Sequence, residues 1–374
     1  MSKFYDDAKR QYQKHLEKKA AAEKERGKTY EVQSLIPSVR TPVCFGVVGT
    51  GHVFDRWMHD MQMIPAETGI WVKGIAAGKS DTAEKKAKQY GIGQVYPDYE
   101  AMLLDPEIQA VYVATPNHLH KEHSIRALRA GKHVLCEKPI AVNTAELREM
   151  YAAADQADRF LMEGLWMRTL PMILQLKELV KSGEIGAVRY IETACCNSNS
   201  PEAYPAMFSP EKAGGALMDV GCYGLHFIRL LLEGEPKLNS FAVCATTGVD
   251  HTSSALLQYE DALAVVTQSI GAAGGAKAVL HGTKGWIEVP LFLSPSGFTV
   301  TAVNGFKTYY KYDEEAQKRP IGYAYEILHF ADCLSKNLRD SSLIPRSETL
   351  AVASQMEQIR RESGIALGSE LKQR

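Results

Sequence analysis

The sequence has no excess of charge of either sign. Its 43 lysine and arginine residues are balanced by 44 aspartate and glutamate residues, which gives a formal net charge of −1. A nucleic-acid-binding protein that relies on bulk positive charge is therefore not expected. The chain also lacks an apolar run of the ~18 residues that a membrane span needs. Its N-terminus is charged rather than apolar, so no secretory signal is expected either.

Cysteine is scarce and scattered. The seven cysteines form no Cys-x-x-Cys pair, and none is spaced from a histidine as zinc ligands are. An odd number of unclustered cysteines argues against a disulfide framework. We therefore expect reduced thiols, no metal site and a cytoplasmic location.

The length of 374 residues suggests two or three domains at roughly 100–200 residues each. Residues 1–40 form a charged arm, in which residues 5–25 are predicted as a helix too polar for a core. Two interpretations of the arm stay open. It is either a solvated tail or a segment that packs along the same or a neighbouring subunit.

The rest of the chain shows two different patterns of predicted strands and helices. Residues 41–163 alternate short apolar strands, the first over Val43 to Val48, with helices of about 10–15 residues, which is the pattern of βαβ units and a parallel sheet. Residues 164–374 contain closely spaced strands, one helix over 219–232 and two helices near the C-terminus. The predicted class is α/β, with a second, mostly antiparallel, helix-covered α+β domain.

A glycine-rich turn follows the first predicted strand. Gly49-Thr50-Gly51 leads through His52 and Val53 into a helix, so the turn can bring a pyrophosphate to the helix N-terminus. Phe54 occupies the third position of the motif, where Gly or Ala is usual. We expect either a slightly wider separation of helix and strand or a different register.

The end of the second strand indicates which dinucleotide binds. An NAD site places a carboxylate there, for the ribose 2′-hydroxyl. This chain has Gly78-Lys79-Ser80 instead, groups suited to a 2′-phosphate. NADP is therefore favoured. Asp81 lies close by and, as a carboxylate, is the feature that would favour NAD instead.

Two further motifs lie at the ends of predicted parallel strands, where ligands bind in open α/β sheets. They are Thr115-Pro116-Asn117, with His120 three residues on, and Glu137-Lys138-Pro139. Pro139 fixes its turn, and Lys138 can reach into the crevice. An ordinary surface lysine is the alternative.

A third motif combines three chemical groups on one predicted helix. Asp219 and Tyr223 are four residues apart, and His226 is three further on, so the three share a face. A carboxylate, a phenol and an imidazole on one stripe indicate a site, although a buried core Tyr and His would give the same pattern.

Together these motifs, in this order over residues 43–363, resemble the Gfo/Idh/MocA family of nicotinamide-dependent oxidoreductases. The run from Gly214 to Tyr223 is part of that resemblance. Asp219-Val220-Gly221-Cys222-Tyr223 is similar to the branch that includes glucose–fructose oxidoreductase and dihydrodiol dehydrogenase. The resemblance implies a Rossmann domain over 41–163. It also implies a domain over 164–374 with a large open sheet, through which homodimers or homotetramers form.

The resemblance also implies roles for individual residues. Lys138, Asp219 and Tyr223 form the catalytic set and, with Tyr323, contact the substrate. Trp166 and Arg168 line the nicotinamide side. The motifs and the resemblance together give these cofactor-binding residues: Gly49, Thr50, Gly51, His52, Val53, Gly78, Lys79, Ser80, Thr115, Pro116, Asn117, His120, Glu137, Lys138, Trp166 and Arg168. Specificity is expected in the loop of residues 197–212.

The predicted function is hydride transfer between NADP, with NAD as the alternative, and a sugar, polyol or related cyclic alcohol. Tyr223 exchanges the proton at the substrate oxygen. A free tyrosine has a pKa of about 10, so we expect Lys138 to favour its phenolate. Two other functions stay open: an NAD-dependent glycosidase on the same scaffold, and a non-catalytic NADP-binding regulatory protein.

Overall fold

The computed structural model describes residues 27–33, 42–78, 80–312 and 322–373. The predicted helix of the arm and Lys79 lie outside the described residues. The strands, in chain order, are β1 (Gly27–Val32), β2 (Val43–Val48), β3 (Ile70–Ala76), β4 (Gln94–Val95), β5 (Ala110–Val113), β6 (His133–Glu137), β7 (Leu161–Gly164), β8 (Val188–Ser198), β9 (Lys237–Cys244), β10 (Asp250–Gln258), β11 (Leu263–Ser269), β12 (Gly271–Gly282), β13 (Gly285–Pro290), β14 (Gly297–Ala302) and β15 (Lys307–Tyr312).

The α-helices interleave with these strands. They are α1 (His52–Met61), α2 (Ser80–Tyr90), α3 (Tyr99–Leu103), α4 (His120–Arg129), α5 (Thr144–Ala157), α6 (Pro171–Lys181), α7 (Cys222–Leu231), α8 (Tyr323–Ser335) and α9 (Arg346–Glu362). None of the helices in the described ranges is both long and apolar enough to cross a membrane.

Six strands form a parallel sheet in the order β4-β3-β2-β5-β6-β7. Strands such as β2 and β5 are buried along their whole length, as expected for uninterrupted apolar runs covered by helices on both faces. The strand order reverses between β2 and β5. The carboxyl ends of these two strands therefore flank the crevice where such sheets bind ligands.

Nine strands form the large sheet, in the order β1-β15-β14-β13-β12-β8-β11-β10-β9. Neighbouring strands are antiparallel except for the β1–β15 and β8–β11 pairs. Helices α7 and α9 pack against one face, and alternate residues of β9 and β10 are turned away from it. The predicted α/β class, with a parallel sheet and a large, mostly antiparallel one, is confirmed.

The edge strand β1 and its neighbour β15 were not predicted. β1 lies in the arm and pairs in parallel with β15 of the same chain, and Tyr30 stacks on Tyr310 with ring centroids 5.2 Å apart. Four of the six β1 residues are exposed, so the sequence has no apolar alternation there. The strand forms because β15 offers it an open edge.

The helix predicted over 219–232 is two elements. Leu217–Gly221 form a π-turn, which continues directly into α7. Such turns are rare and are often found at functional sites. Asp219 and Tyr223 therefore belong to different helical geometries, and the simple four-residue spacing does not describe how they face each other.

A buried carboxylate joins the two sheets near the crevice. Asp60 of α1, on the parallel-sheet side, accepts hydrogen bonds from the backbone of Gly322 at 2.8 Å and of Ala324 at 3.4 Å. It thus caps the N-terminus of α8. Because Tyr323 is the first residue of that helix, the cap fixes its position relative to the glycine turn of residues 49–51.

Candidate active site

A cavity of about 510 Å³ lies between the carboxyl edge of the parallel sheet and the large sheet. It is the place where the predicted motifs converge. The residues that line it are His52, Val53, Arg56, Pro116, Asn117, Lys138, Trp166, Asn197, Asn199, Ala203, Tyr204, Pro205, Ala206, Met207, Lys212, Gly214, Asp219, Val220, Tyr223, Leu293 and Tyr323.

The glycine turn has the geometry that a dinucleotide needs. Gly49 has a φ of 98°, and a Cβ there would lie 2.4 Å from the carbonyl oxygen of Ala114. Gly51 faces open space, since no atom lies within 4 Å of where its Cβ would be. It begins α1 without a side-chain cap. The helix N-terminus is thus open to a pyrophosphate.

Phe54, the unusual third residue of the motif, is fully buried. Its ring packs edge-on against Tyr90 of α2, with centroids 5.6 Å apart. The core beside α2 therefore accommodates the large side chain.

The groups expected to select NADP are only partly described. Gly78 faces open space, Ser80 begins α2, and Lys79 and the side chain of Ser80 lie outside the description. The preference for NADP stays a prediction.

The turn after β5 reaches the cavity through Pro116 and Asn117. Asn117 Nδ2 donates to the carbonyl oxygen of Ala213, 2.9 Å away, on the large-sheet side. Thr115 is turned away, with its hydroxyl 3.1 Å from His123 Nδ1.

His120, predicted to bind the cofactor, is fully buried and does not line the cavity. Its ring nitrogens lie 2.9 Å from the Pro139 carbonyl oxygen and 2.7 Å from that of Thr115. Burial lowers its pKa to about 4. The neutral ring therefore donates to one of these carbonyls, and it links the turn after β5 to the turn after β6.

Lys138 is held at the cavity wall by Asp219. Its Nζ donates to the Asp219 carbonyl oxygen at 2.6 Å and lies 3.4 Å from Oδ1. Burial opposes the charged form of Lys138 and is the largest single effect. The negative charges around it, led by that of Asp219, together outweigh burial, and the pKa of Lys138 is raised above its usual value. Lys138 is thus a fixed cation, and its Nζ lies 5.0 Å from the centroid of the Tyr223 ring.

Tyr223 departs from the predicted phenolate. Burial raises its pKa well above the ordinary value, and the charge of Glu137 acts in the same direction. Lys138 approaches the face of the ring and is not hydrogen-bonded to the hydroxyl. The group that contacts the oxygen is Trp166, whose Nε1 donates to it at 2.7 Å. Tyr223 is therefore a neutral phenol that keeps its proton.

Trp166 connects Tyr223 to the second predicted substrate tyrosine. Its ring lies 5.9 Å from that of Tyr223 and 5.5 Å from that of Tyr323. The structure thus brings Lys138, Trp166, Asp219, Tyr223 and Tyr323 together around one cavity.

Two other predicted cofactor residues lie behind the cavity rather than in its wall. Glu137 is buried and accepts a 2.5 Å hydrogen bond from the Tyr112 hydroxyl. Arg168 is buried with its Nη1 3.8 Å from Glu348 of α9. Both are placed to support the site rather than to contact a ligand.

His226 does not share the cavity with Tyr223. It is buried, and its Nε2 lies 3.2 Å from Glu163 Oε2 of β7. Three residues along an α-helix correspond to a rotation of about 300°, which leaves Tyr223 and His226 about 60° apart around the helix axis. This difference turns His226 into the interior.

Several lining residues were not predicted from the sequence, among them Arg56 and Leu293. The loop expected to define specificity does contribute, from Asn197 to Lys212. Tyr204 of this loop lies over the glycine turn, with its ring 5.6 Å from that of His52. No motif marks Arg56 or Leu293. The residues of the loop were indicated only by their position before the Gly214–Tyr223 segment.

Comparisons with known proteins agree with this geometry. Residues 43–165 match the profile of an oxidoreductase family with an NAD-binding Rossmann fold, and residues 173–288 match the C-terminal domain of the GFO/IDH/MocA family. The trans-1,2-dihydrobenzene-1,2-diol dehydrogenase of Xenopus laevis is 31% identical over 332 residues, which cover 86% of this chain and 98% of that protein. The chain belongs to the Gfo/Idh/MocA family. Membership confirms the predicted nicotinamide-dependent oxidoreductase.

Solved structures of related enzymes share the fold. An aldose–aldose oxidoreductase from Caulobacter crescentus, complexed with glycerol, is 25% identical and has a TM-score of 0.76 over 86% of this chain and 98% of its own. A 3-ketoreductase from Actinomadura kijaniata, in complex with NADP and TDP-benzene, has a TM-score of 0.78 at 23% identity over the same shares.

Proposed function

We propose that this member of the Gfo/Idh/MocA family is an NADP-dependent oxidoreductase. It transfers a hydride between the nicotinamide and a carbon bearing a hydroxyl in a sugar, polyol or related cyclic alcohol. The observation that carries the proposal is the neutral Tyr223 phenol beside the Lys138–Asp219 pair at one cavity wall. The Xenopus relative, which is named for a cyclic diol, and the Caulobacter oxidoreductase, named for aldoses, support the substrate class.

The cofactor has a suitable place in this chain. The glycine turn and the uncapped start of α1 would hold the pyrophosphate, and Pro116 and Asn117 would border the nicotinamide end. When bound, the nicotinamide supplies or accepts the hydride, and the protein supplies placement and charge.

Tyr223 transfers the proton. In the direction of reduction, its hydroxyl donates a proton to the carbonyl oxygen as the carbon receives the hydride. The phenolate left behind keeps the hydrogen bond from Trp166 Nε1. It also lies near the Lys138 cation, which Asp219 holds in place. These two groups stabilise the negative charge as it develops. In oxidation the same proton moves in reverse.

The decisive test is Tyr223→Phe, which keeps the ring and removes the proton. We expect kcat to fall by ~10²–10⁴-fold, while the Kd of NADPH, measured by nicotinamide fluorescence, stays the same. Tyr259→Phe is the matched control. Tyr259 is also buried, has a hydroxyl without a partner and does not line the cavity. Near-normal turnover in Tyr223→Phe would remove Tyr223 from the mechanism.

The assay also separates the other functions left open by the sequence. Hydrolysis of aryl glycosides with no net change in cofactor absorbance would indicate the glycosidase. Tight NADP binding without turnover on any sugar, polyol or dihydrodiol would indicate the regulatory protein.

We also propose that the protein forms homodimers or homotetramers through the outward face of the large sheet. Phe241 and Val243 of β9 are 84% and 67% exposed, and Leu256 of β10 adds to the same region. A single-subunit mass in analytical ultracentrifugation would contradict this.

We also place the protein in the cytoplasm, because its seven cysteines are all free.

A further inference from the structure

The walls of the cavity carry more positive than negative charge. Arg56, Lys138 and Lys212 contribute cations, and Asp219 is the one carboxylate among the described residues that line it. Asp219 is already engaged by Lys138. Within the described ranges, neither Arg56 nor Lys212 forms an ion pair. Both residues are solvent-exposed, so the cavity wall carries two accessible cations that have no ion-pair partner among the described residues.

These two cations lie at different ends of the cavity. Arg56 is on α1, beside the glycine turn that follows β2, so it belongs with the pyrophosphate. Lys212 precedes Ala213, whose carbonyl oxygen accepts the hydrogen bond from Asn117 after β5. A dinucleotide crosses such a sheet from the glycine turn toward the later strands. Lys212 therefore stands at the end that also holds Lys138 and Tyr223.

The backbone around Lys212 is fixed. The Lys212 amide donates to Ser209 Oγ at 3.2 Å, and the Gly214 amide donates to the Ser209 carbonyl oxygen at 3.0 Å. The loop tip is thus a hydrogen-bonded turn rather than a free segment. Burial first, and then the charge of Lys212, lower the pKa of the nearby His118. That histidine is consequently neutral and adds no competing charge.

We propose that the substrate carries an anionic group, a phosphate or a carboxylate on a sugar-like body, and that Lys212 binds this group. The inference rests on the proposed function. In that function the reacting hydroxyl of the substrate contacts Tyr223, and the anionic group lies at the opposite end of the same molecule. A lysine ammonium has three donors for such an oxyanion, and charge-assisted hydrogen bonds are roughly twice as strong as neutral ones. Asn197 and Asn199 border the same space and suit the neutral hydroxyls of the body.

The test measures binding without turnover. The NADPH complex of the wild-type protein cannot oxidise an alcohol, and a methyl glycoside has no free carbonyl that NADPH could reduce. Calorimetry can therefore follow the titration of this complex with methyl glucoside, methyl glucoside 6-phosphate and methyl glucuronide. We expect at least one of the two anions to bind about tenfold or more tightly than the neutral methyl glucoside. The pair of anions distinguishes phosphate from carboxylate. Lys212→Gln should bring the affinity ratio close to one. Lys181→Gln, an exposed lysine at the end of α6, should preserve the ratio.

Three results would overturn the proposal. They are equal binding, or no binding, of all three sugars by the wild-type complex, a ratio that survives Lys212→Gln, and a tenfold loss of NADPH affinity in Lys212→Gln. The last result would assign the lysine to the cofactor. Hydride transfer on neutral alcohols is measured separately. Its absence would refute the proposed function, whereas its presence without an anion preference would refute only the role of Lys212.

Discussion

Asp250 links the stability of the site to pH. It is the first residue of β10 and is buried beside the π-turn that carries Asp219. Its Oδ2 accepts hydrogen bonds from the Leu217 amide at 2.8 Å and from Ser253 Oγ at 2.6 Å. Burial raises its pKa to about 6, from an ordinary value of 3.8, although both donors and Arg360 act against that shift. The carboxylate that positions the turn is therefore costly to ionise.

The size of this cost follows from the pKa. A shift of about two units corresponds to about 3 kcal/mol, at 1.36 kcal/mol per unit. The folded state binds the proton more tightly than the unfolded state, so the free energy of unfolding falls as the pH rises from about 4 through about 6 and then levels off. By the same relation, about half of this is already lost at pH 5, and the other half is lost between pH 5 and pH 8.

The substitution Asp250→Asn removes the titration and keeps an oxygen that can accept the Leu217 amide. We expect the difference in unfolding free energy between variant and wild type to change by about 1–2 kcal/mol from pH 5 to pH 8, in favour of the variant at high pH. Urea unfolding followed by circular dichroism at both pH values measures it. The pH-independent cost of the substitution cancels in this difference. A difference that does not change with pH would refute the reasoning, because Asp250 would then titrate alike in both states.

Two further predictions concern the cofactor. Gly49→Ala should destabilise the protein by about 1–3 kcal/mol, because a residue with a Cβ must adopt a φ of 98° against the Ala114 carbonyl; Gly51→Ala, which meets open space, should keep its melting temperature and lose NADPH affinity. Equal melting temperatures for the two variants would contradict this. Lys79→Ala should weaken NADP binding about tenfold or more while leaving NAD binding nearly unchanged, as measured by fluorescence titration; equal Kd values for both cofactors in the wild type would show that residues 78–80 do not select NADP.

The sequence predicted best what depends on local order. The glycine turn, Asn117 and Lys138 each follow a buried strand, and parallel strands bring their carboxyl ends to one edge whatever the details of packing. That Tyr223 lies close to these residues was predicted only from the resemblance to the family. Asn117, Lys138 and Tyr223 line one cavity, and His52 and Val53, which follow the glycine turn, line it too.

The errors arose where side chains of distant elements decide the outcome. Glu137, Arg168 and His226 are polar residues close in sequence to residues that line the cavity, and only their partners on other elements show that they face the interior. The π-turn has no recognisable pattern in the sequence. β1 depends on β15, whose paired residues lie 280 positions later in the chain, so neither strand could be inferred from its own residues.

The state of Tyr223 was mispredicted for a reason that bears on the mechanism. Lys138 is close, and proximity alone favours a phenolate, but burial acts on the same group in the opposite direction and prevails. Asp219 holds the ammonium at the face of the ring, where it stabilises charge without accepting or donating at the hydroxyl. In the proposed mechanism, the proton therefore stays on Tyr223 until it is transferred to the substrate oxygen. The Lys138 cation would then stabilise the negative charge as it forms, which is the condition for stabilising a transition state more than a ground state.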